Sequence, residues 1–282
     1  MKFQGLLKPA CNSLEDESEK NLDVRVCSRC GSSVLKSDLR ANLYICPECN
    51  AHLMMRARRR IEILCDKSSF VEIDKGMESE NLLGFPGYED KIRAAKEKSR
   101  ENEAVVCGKA RIGGNPLYIF VMEPSFMMGS MGSIVGEKIT RCFEKAIEEK
   151  LPVLGITVSG GARMQEGIFS LMQMTKVSAA VKRHDDAGLL YMALLTNPTT
   201  GGVDASFAMQ ADIILAEPGA RVGFAGPRVI EQTYRKKLPD GFQKAEAVME
   251  CGFIDMILSR FDQKRVIASL LDMHKEEIDG GI

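Results

Sequence analysis

Four cysteines with paired spacing are the clearest chemical signal in the chain. Cys27 and Cys30 form one C-x2-C pair, Cys46 and Cys49 form a second, and fifteen residues separate the pairs. Each C-x2-C turn presents two thiolates, so two turns supply the four sulfur ligands of a tetrahedral zinc ion. Because protein fills every ligand position, the spacing predicts one structural Zn²⁺ per chain, with no open position for water.

Disulfides are the main alternative, because the chain contains 9 cysteines. The opening residues, MKFQGLLKPACNSLEDE, lack the apolar segment of a signal peptide, and no run approaches the ~18 apolar residues of a membrane span. We therefore expect a cytoplasmic, reducing location without membrane insertion, where patterned cysteines indicate a metal site. Unrelated core cysteines and an iron–sulfur centre are further alternatives, and visible absorbance would reveal the latter.

Two double-glycine turns are the second chemical signal. Gly160-Gly161 and Gly201-Gly202 each follow a predicted strand and precede a predicted helix. Glycine lets the backbone approach a ligand, and a helix N-terminus adds a positive dipole, so such turns suit an oxyanion. A preorganised donor of this kind is worth about 3–4 kcal/mol on a transition state. Ordinary tight turns are the alternative, since no Walker A or G-x-S-x-G motif is present.

No catalytic side chain accompanies these turns. His52 lies beside the cysteine module, His184 in a predicted polar loop and His274 near the end of the sequence. None is at a glycine pair, and a surface or structural role is expected for each. Glu166 is the carboxylate nearest the first turn, and Asp204 is nearest the second. The sequence thus offers oxyanion donors without an evident nucleophile or general base.

Several arginines are candidates for contacts with phosphate. A run of four arginines follows the cysteine module, namely Arg56, Arg58, Arg59 and Arg60. This run indicates one of two things: a patch that binds phosphate or nucleic acid, or a solvated helix face. Arg163 and Arg228 follow glycine-rich turns. They are predicted to contact phosphate or an interface, and helix N-terminal ion pairs are the alternative. The net charge of −1 gives no overall attraction to nucleic acid or membranes.

The elements that must position these residues alternate between strand and helix. Residues 104–112 and 117–122 predict a hairpin, and residues 133–150 predict an amphipathic helix. A strand at 151–158 precedes a helix at 167–183, which is apolar on nearly every side and is therefore predicted to be buried. Further strands are predicted at 188–196, 212–216, 221–224 and 253–258, and further helices at 205–210, 229–237, 241–251 and 262–275.

This alternation predicts an α/β fold with parallel pairing. We expect a flexible leader over residues 1–22, a four-cysteine ribbon over 23–50 and one large domain over 51–282. With 16 methionines and no tryptophan, the core must be packed by aliphatic side chains and methionine.

Long blocks of the second half resemble a known family. Residues 158–167 (VSGGARMQEG), 198–203 (PTTGGV), 216–220 (AEPGA) and 223–233 (GFAGPRVIEQT) are similar to the bacterial acetyl-CoA carboxylase carboxyltransferase β subunits, and the four-cysteine ribbon matches as well. The resemblance extends over about residues 24–259. It implies a crotonase-like fold of ββα spiral units behind an N-terminal zinc ribbon.

The resemblance also implies an activity and partners. The family transfers a carboxyl group from carboxybiotin, on a biotin carboxyl carrier protein, to acetyl-CoA. The product is malonyl-CoA, and the reaction belongs to the first committed step of fatty-acid synthesis. A homologous α subunit completes an α2β2 assembly that works with biotin carboxylase. The ribbon would then partly cover the active-site entrance, and this chain alone would be inactive.

Site residues follow from the same resemblance. The backbone N–H groups of Gly201 and Gly202 would hold the enolate oxygen, and Gly160 and Gly161 would shape the adjoining thioester or carboxyl pocket. Released biotin would remove the methyl proton, which accounts for the missing base. Asp204 departs from the family, where a small residue is expected.

Three rival functions remain open on the sequence. They are another crotonase-type enzyme such as a hydratase or thioesterase, a carboxyltransferase for another acyl-CoA such as propionyl-CoA, and a nucleic-acid-binding zinc protein that uses Arg56–Arg60.

Overall fold

The computed structural model describes residues 23–275, apart from the side chains of Pro227 and Arg228. The leader predicted over residues 1–22 lies outside this part. The chain divides between Leu53 and Met54 into two compact units, which are described separately.

The first unit is a small ribbon. It contains two antiparallel strands and one short helix, β1 (Val24–Val26), β2 (Ser33–Leu35) and α1 (Lys36–Ala41). Its core is correspondingly small, with Val34, Leu39 and Leu53 packed beside the buried sulfurs of Cys27 and Cys46. Because these few apolar side chains bury little surface, we expect this unit to need a bound metal ion for stability.

The second unit is organised by one eight-stranded sheet. In spatial order the strands are β10-β8-β7-β6-β5-β4-β3, with β9 paired to β7. Pairing is antiparallel from β3 to β5 and parallel in the remainder of the sheet. The strands are β3 (Val71–Ile73), β4 (Val105–Ile112), β5 (Asn115–Met122), β6 (Val153–Ser159), β7 (Tyr191–Thr200), β8 (Ile213–Ala216), β9 (Val222–Gly223) and β10 (Met256–Ile257).

Helices cover both faces of this sheet. Along β5, Leu117, Ile119 and Val121 face one apolar cluster, whereas Tyr118 and Phe120 face the other. This period of two is the signature of a strand buried on both sides. The helices are α2 (Ala57–Leu64), α3 (Tyr88–Ser99), α4 (Ser133–Glu149), α5 (Gly167–Asp186), α6 (Pro227–Tyr234), α7 (Ala245–Glu250) and α8 (Arg260–Met273).

The two faces are packed by different helices. On one face α2 and α8 bury Ile61, Leu64 and Ile267 against the sheet. On the other, α3 to α5 surround an aromatic group in which the Phe143 and Tyr191 ring centroids lie 5.0 Å apart. None of the helices in residues 23–275 is long and apolar enough to cross a membrane.

Several predicted elements are confirmed. The 104–122 hairpin is β4 and β5, and the predicted 133–150 helix is α4, with Val135, Ile139 and Phe143 buried as expected. Helix α3 was not predicted, because its sequence is mostly charged. Its buried positions Tyr88, Ile92 and Ala95 recur at helical spacing and are the signal that could have revealed it.

Two predictions about α5 are wrong. The helix is not buried all round, since Ile168, Leu171 and Met172 are 61%, 50% and 55% exposed. His184 is not in a loop but near the end of α5, where its ring is buried and its Nε2 lies 3.1 Å from the Leu151 carbonyl oxygen.

The arginine run is not a free cationic patch. Arg58 pairs with Glu72 and Glu101, each at 2.6 Å. Arg60 is buried and contacts Glu217 at 2.7 Å. The other members are also engaged, Arg56 with the Lys98 carbonyl oxygen and Arg59 with Glu62. The contacts of Arg56, Arg58 and Arg60 join this segment to other parts of the second unit, so the prediction of a phosphate or nucleic-acid surface there is not supported.

Candidate functional site

The four predicted ligand cysteines come together in the ribbon. The Cys27 and Cys49 sulfurs lie 3.7 Å apart, and those of Cys30 and Cys46 lie 3.8 Å apart. All four sulfurs are within 4.8 Å of one another, and none forms a disulfide. Tetrahedral zinc with Zn–S bonds of about 2.3 Å requires S–S separations of roughly 3.8 Å. The site therefore fits a closed four-thiolate zinc centre.

Matching backbone turns position these sulfurs. The Cys27 carbonyl accepts from Gly31 N–H and the Cys46 carbonyl accepts from Asn50 N–H, each at 2.9 Å. Gly31 and Asn50 have φ of 76° and 57°, a left-handed conformation that glycine and asparagine adopt most readily. The sequence after each C-x2-C pair thus closes the turn that aims both thiolates at one point. His52 is not part of this cluster.

The two double-glycine turns meet at the ends of β6 and β7. A Cβ atom added to Gly201 would lie 2.8 Å from the Gly161 Cα, a separation that Cβ atoms do not tolerate. Both residues also have positive φ, 66° for Gly201 and 115° for Gly161. The structure therefore brings Gly160-Gly161 and Gly201-Gly202 into direct backbone contact, which requires glycine at positions 161 and 201.

Most N–H groups of these turns are already committed. Gly201 N–H donates to the Phe224 carbonyl at 2.9 Å, because the chain after β7 continues to pair beside β9. Gly160 N–H donates to the Met128 carbonyl and Gly161 N–H to Ser159 Oγ. Gly202 N–H has no hydrogen-bond acceptor among residues 23–275, and Gly202 is buried. Of the two predicted oxyanion donors, Gly202 is the one with an uncommitted N–H.

Asp204 lies two residues beyond this donor. Its side chain is almost buried, and its carboxylate has no hydrogen-bond or ion-pair partner within the described chain. Loss of hydration raises the pKa of Asp204 from its ordinary 3.8 to about 6. The turn that carries Gly202 N–H therefore also carries a carboxyl group whose charge changes in the mildly acidic range.

Arg163 is placed in the interior instead of on a ligand-facing surface. Its side chain is 0% exposed, with one guanidinium nitrogen 2.5 Å from Glu103 Oε1. Its other terminal nitrogen donates to the Tyr88 hydroxyl at 3.2 Å and lies 3.3 Å from Glu166. The guanidinium group therefore has no exposed surface that could contact a substrate phosphate. It forms ion pairs instead, which was the alternative prediction for Arg163. Glu103 and Tyr88 are members of this site that sequence reasoning missed.

Glu166 is held too tightly to act as a free base. Its carboxylate accepts from Ser133 N–H at 2.5 Å, from Ser133 Oγ at 2.6 Å and from the Tyr88 hydroxyl at 2.6 Å. Burial alone would raise the pKa of Glu166, but the hydrogen bonds from Ser133 and Tyr88 outweigh it and hold the pKa below its usual value. The carboxylate thus caps the N-terminus of α4.

Arg228 lies in the first turn of α6, and its side chain is outside the described part of the structure. Its predicted contact with substrate stays a prediction.

An exposed apolar surface lies beside the glycine turns. Met164 is 83% exposed, and the N-terminal half of α5 continues the surface. Leu83 contacts it, since its Cδ1 lies 3.2 Å from a Cβ built on Gly167. We call this set the α5 apolar surface; it comprises Leu83, Met164, Ile168, Phe169, Leu171 and Met172. Several large apolar side chains left exposed around the start of one helix are typical of a protein interface.

Comparisons with known proteins agree with this geometry. Residues 54–250 match the carboxyl transferase domain and residues 26–49 match the acetyl-CoA carboxylase zinc finger domain. In a solved structure of transcarboxylase 12S with methylmalonyl-coenzyme A bound, one chain is 27% identical with a TM-score of 0.68, over 77% of this chain and 41% of that one. The fold is therefore the crotonase-like fold of carboxyltransferases, and the chain belongs to the carboxyl transferase family.

Closer relatives narrow the assignment. The acetyl-coenzyme A carboxylase carboxyl transferase subunit beta of Ruminiclostridium cellulolyticum is 56% identical over 89% of this chain and 88% of its own length. That of Clostridioides difficile is 52% identical over 94% of each. Within the carboxyl transferases, this chain belongs to the family of acetyl-CoA carboxylase β subunits.

Removal of one zinc ligand should remove the metal. We expect the wild-type chain to contain about one zinc per chain, and Cys46→Ser to contain almost none, because three sulfurs leave the tetrahedral site open. Metal analysis after gel filtration measures this. The matched control is Cys251→Ser, which changes an exposed free thiol outside the cluster. Equal zinc content in both variants would contradict the assignment.

Asp204 should make stability depend on pH. Its folded pKa of about 6 lies above the ordinary 3.8, so the native state holds more protons between these values and stability falls as pH rises through them. We expect Asp204→Asn to raise the free energy of unfolding at pH 8 by about 2–3 kcal/mol and to give no gain near pH 4.

Urea unfolding at the two pH values measures this difference, with the exposed Asp240→Asn as control. A gain for Asp204→Asn that is equal at both pH values would contradict desolvation as the cause.

Proposed function

We propose that the chain is the β subunit of the acetyl-CoA carboxylase carboxyltransferase, which transfers a carboxyl group from carboxybiotin to acetyl-CoA and forms malonyl-CoA. The observation that carries this proposal is an uncommitted backbone donor, Gly202 N–H, in a glycine turn without a nucleophile or base. Relatives that cover most of the chain and bear the β-subunit name support the same reaction and acetyl-CoA as substrate.

The chemistry requires an enolate. When the methyl group of acetyl-CoA loses a proton, negative charge collects on the thioester oxygen, and Gly202 N–H donates to it. Because the donor is fixed before the reaction, it stabilises the enolate without reorganising. Gly201 is the scaffold that holds this donor, and Gly160 and Gly161 form the opposing wall. Carboxybiotin, delivered on the biotin carboxyl carrier protein, supplies the carboxyl group and the base for the methyl proton.

The α subunit is the partner proposed for the α5 apolar surface. A helix with exposed apolar side chains beside the glycine turns is expected to be buried by a partner. The family resemblance implies that this partner is a homologous chain in an α2β2 assembly. An obligate interface is hydrophobic in this way, like a domain core cut in half. Biotin carboxylase and the carrier protein complete the system, which we place in the cytoplasm.

The rival functions have less support. The side chains of Arg56–Arg60 are paired with acidic or carbonyl groups of the second unit, so no observation favours nucleic acid. Glu166 is bound by Ser133 and Tyr88, so it is not free to act as one of the two carboxylates that a hydratase requires. Propionyl-CoA would use the same oxyanion donor, and comparing turnover of the two acyl-CoAs would separate these substrates.

A bulky residue at position 202 should reduce turnover. A side chain there begins 3.0 Å from Met174 Sδ and 3.6 Å from Met131 Cε, so we expect the branched side chain of Gly202→Val to crowd both methionines and shift the turn with its N–H. We expect kcat of the α2β2 enzyme to fall about 100-fold or more, which is the effect of removing one oxyanion donor in other enzymes. The zinc content should not change. The control is Gly76→Val, at an exposed site with open space. Unchanged turnover in Gly202→Val would refute the assignment.

A charge on the α5 apolar surface should separate the subunits. We expect Ile168→Asp to weaken binding of the α subunit about 30-fold or more, which corresponds to about 2 kcal/mol, because a carboxylate would be buried without a partner. Analytical ultracentrifugation of the mixed chains measures this. The control is Met273→Asp, at a 76% exposed site on α8. If Ile168→Asp assembled as tightly as the control, another surface would hold the partner.

A further inference from the structure

We propose that Arg163 is a positioning residue for carboxyl transfer. Through the segment Phe126–Met131, named here the strap, it sets the distance between the two glycine turns and hence the position of Gly202 N–H. This inference rests on the proposed function and assigns a task to a residue that touches no reacting atom.

Arg163 binds the strap directly and from several sides. Its Nε donates to Ser130 Oγ at 3.1 Å, and a terminal nitrogen donates to the Ser130 carbonyl at 2.9 Å. The guanidinium carbon lies 5.3 Å from the Phe126 ring centroid, within cation–π range. One buried side chain therefore contacts both ends of the strap.

The strap has an unfavourable backbone conformation. Met127 and Met128 have φ of 44° and 58°, a left-handed conformation that is costly for residues with a side chain. Gly129, also at positive φ, lies so close to β6 that a Cβ would be 2.0 Å from the Val158 carbonyl oxygen. Such a segment keeps its conformation only where surrounding contacts stabilise it, and the contacts with Arg163 provide this stabilisation.

The strap in turn holds the first glycine turn. Met131 N–H donates to the Gly161 carbonyl, and Arg163 N–H donates to the Met131 carbonyl, both at 2.9 Å. Gly161 then contacts Gly201, and the Met131 Cε lies 3.6 Å from a Cβ built on Gly202. A continuous chain of contacts thus leads from the guanidinium through Met131 to the oxyanion donor.

Two carboxylates fix the guanidinium itself. Glu103 forms a two-oxygen pair with it at 2.5 and 3.1 Å, and Glu166 lies 3.3 Å away. The second negative charge is balanced at the N-terminus of α4, where Ser133 N–H binds Glu166. Only a planar fork with several donors can bind both carboxylates and Ser130 together, so lysine cannot replace arginine here.

The test compares Arg163→Lys with Arg260→Lys in the assembled α2β2 enzyme. Arg260 is a matched control because it is equally buried and pairs with Glu217 at 2.7 Å, in a cluster that does not contact the strap. We expect kcat to fall about 10- to 100-fold in Arg163→Lys, with KM for acetyl-CoA within about threefold. Arg260→Lys should lower the melting temperature but keep kcat.

Hydrogen–deuterium exchange provides the second readout. Peptides that contain residues 126–131 should exchange faster in Arg163→Lys than in wild type or Arg260→Lys. If kcat falls equally in both variants, or if Arg163→Lys keeps wild-type kcat and exchange, the positioning role is wrong. If the wild-type α2β2 enzyme itself transfers no carboxyl group, the proposed function fails instead, so the two failures are distinguishable.

Discussion

The contact between two backbone turns is the constraint on which the site depends. A Cβ on Gly201 would lie only 2.8 Å from the Gly161 Cα, both glycines have positive φ, and this approach occurs where β6 and β7 end. Parallel strands carry their C-terminal ends to one edge of a sheet, so residues about forty positions apart in sequence become neighbours. The proposed enolate hole depends on this closeness, because a backbone N–H group can be aimed only by placing the whole turn.

Ion pairs buried in the interior hold the surrounding frame. The Arg163 cluster joins the first turn to α3 and α4, and the Glu217 cluster joins α2 and α8 through Arg60 and Arg260. Buried charges are costly unless they are paired and hydrogen-bonded, and both clusters meet that condition. Their role is therefore better described as fixing one geometry than as adding net stability.

The chain is also built as half of a site. The four cysteines of its ribbon suit a closed metal site that leaves no position for chemistry, while the second unit carries the Gly202 N–H, uncommitted within residues 23–275, and an exposed apolar helix. The uncommitted donor and the exposed apolar helix have no partner within that part of the chain. Both would gain one in the proposed assembly, which brings a second subunit and carboxybiotin to the glycine turns.

The sequence by itself determined the zinc ligands, the glycine turns, the hairpin and the amphipathic α4. Their signals are local, because ligand spacing, turn chemistry and apolar period are properties of neighbouring residues. Tertiary structure decided the rest. Arg60 finds its carboxylate 157 positions away, and Arg163 finds Glu103 60 positions away. Within the described chain, Gly201 N–H is committed and Gly202 N–H is not, because the chain brings the Phe224 carbonyl within hydrogen-bond distance of Gly201. These outcomes arise from contacts between distant segments, and local pattern carries no information about such partners.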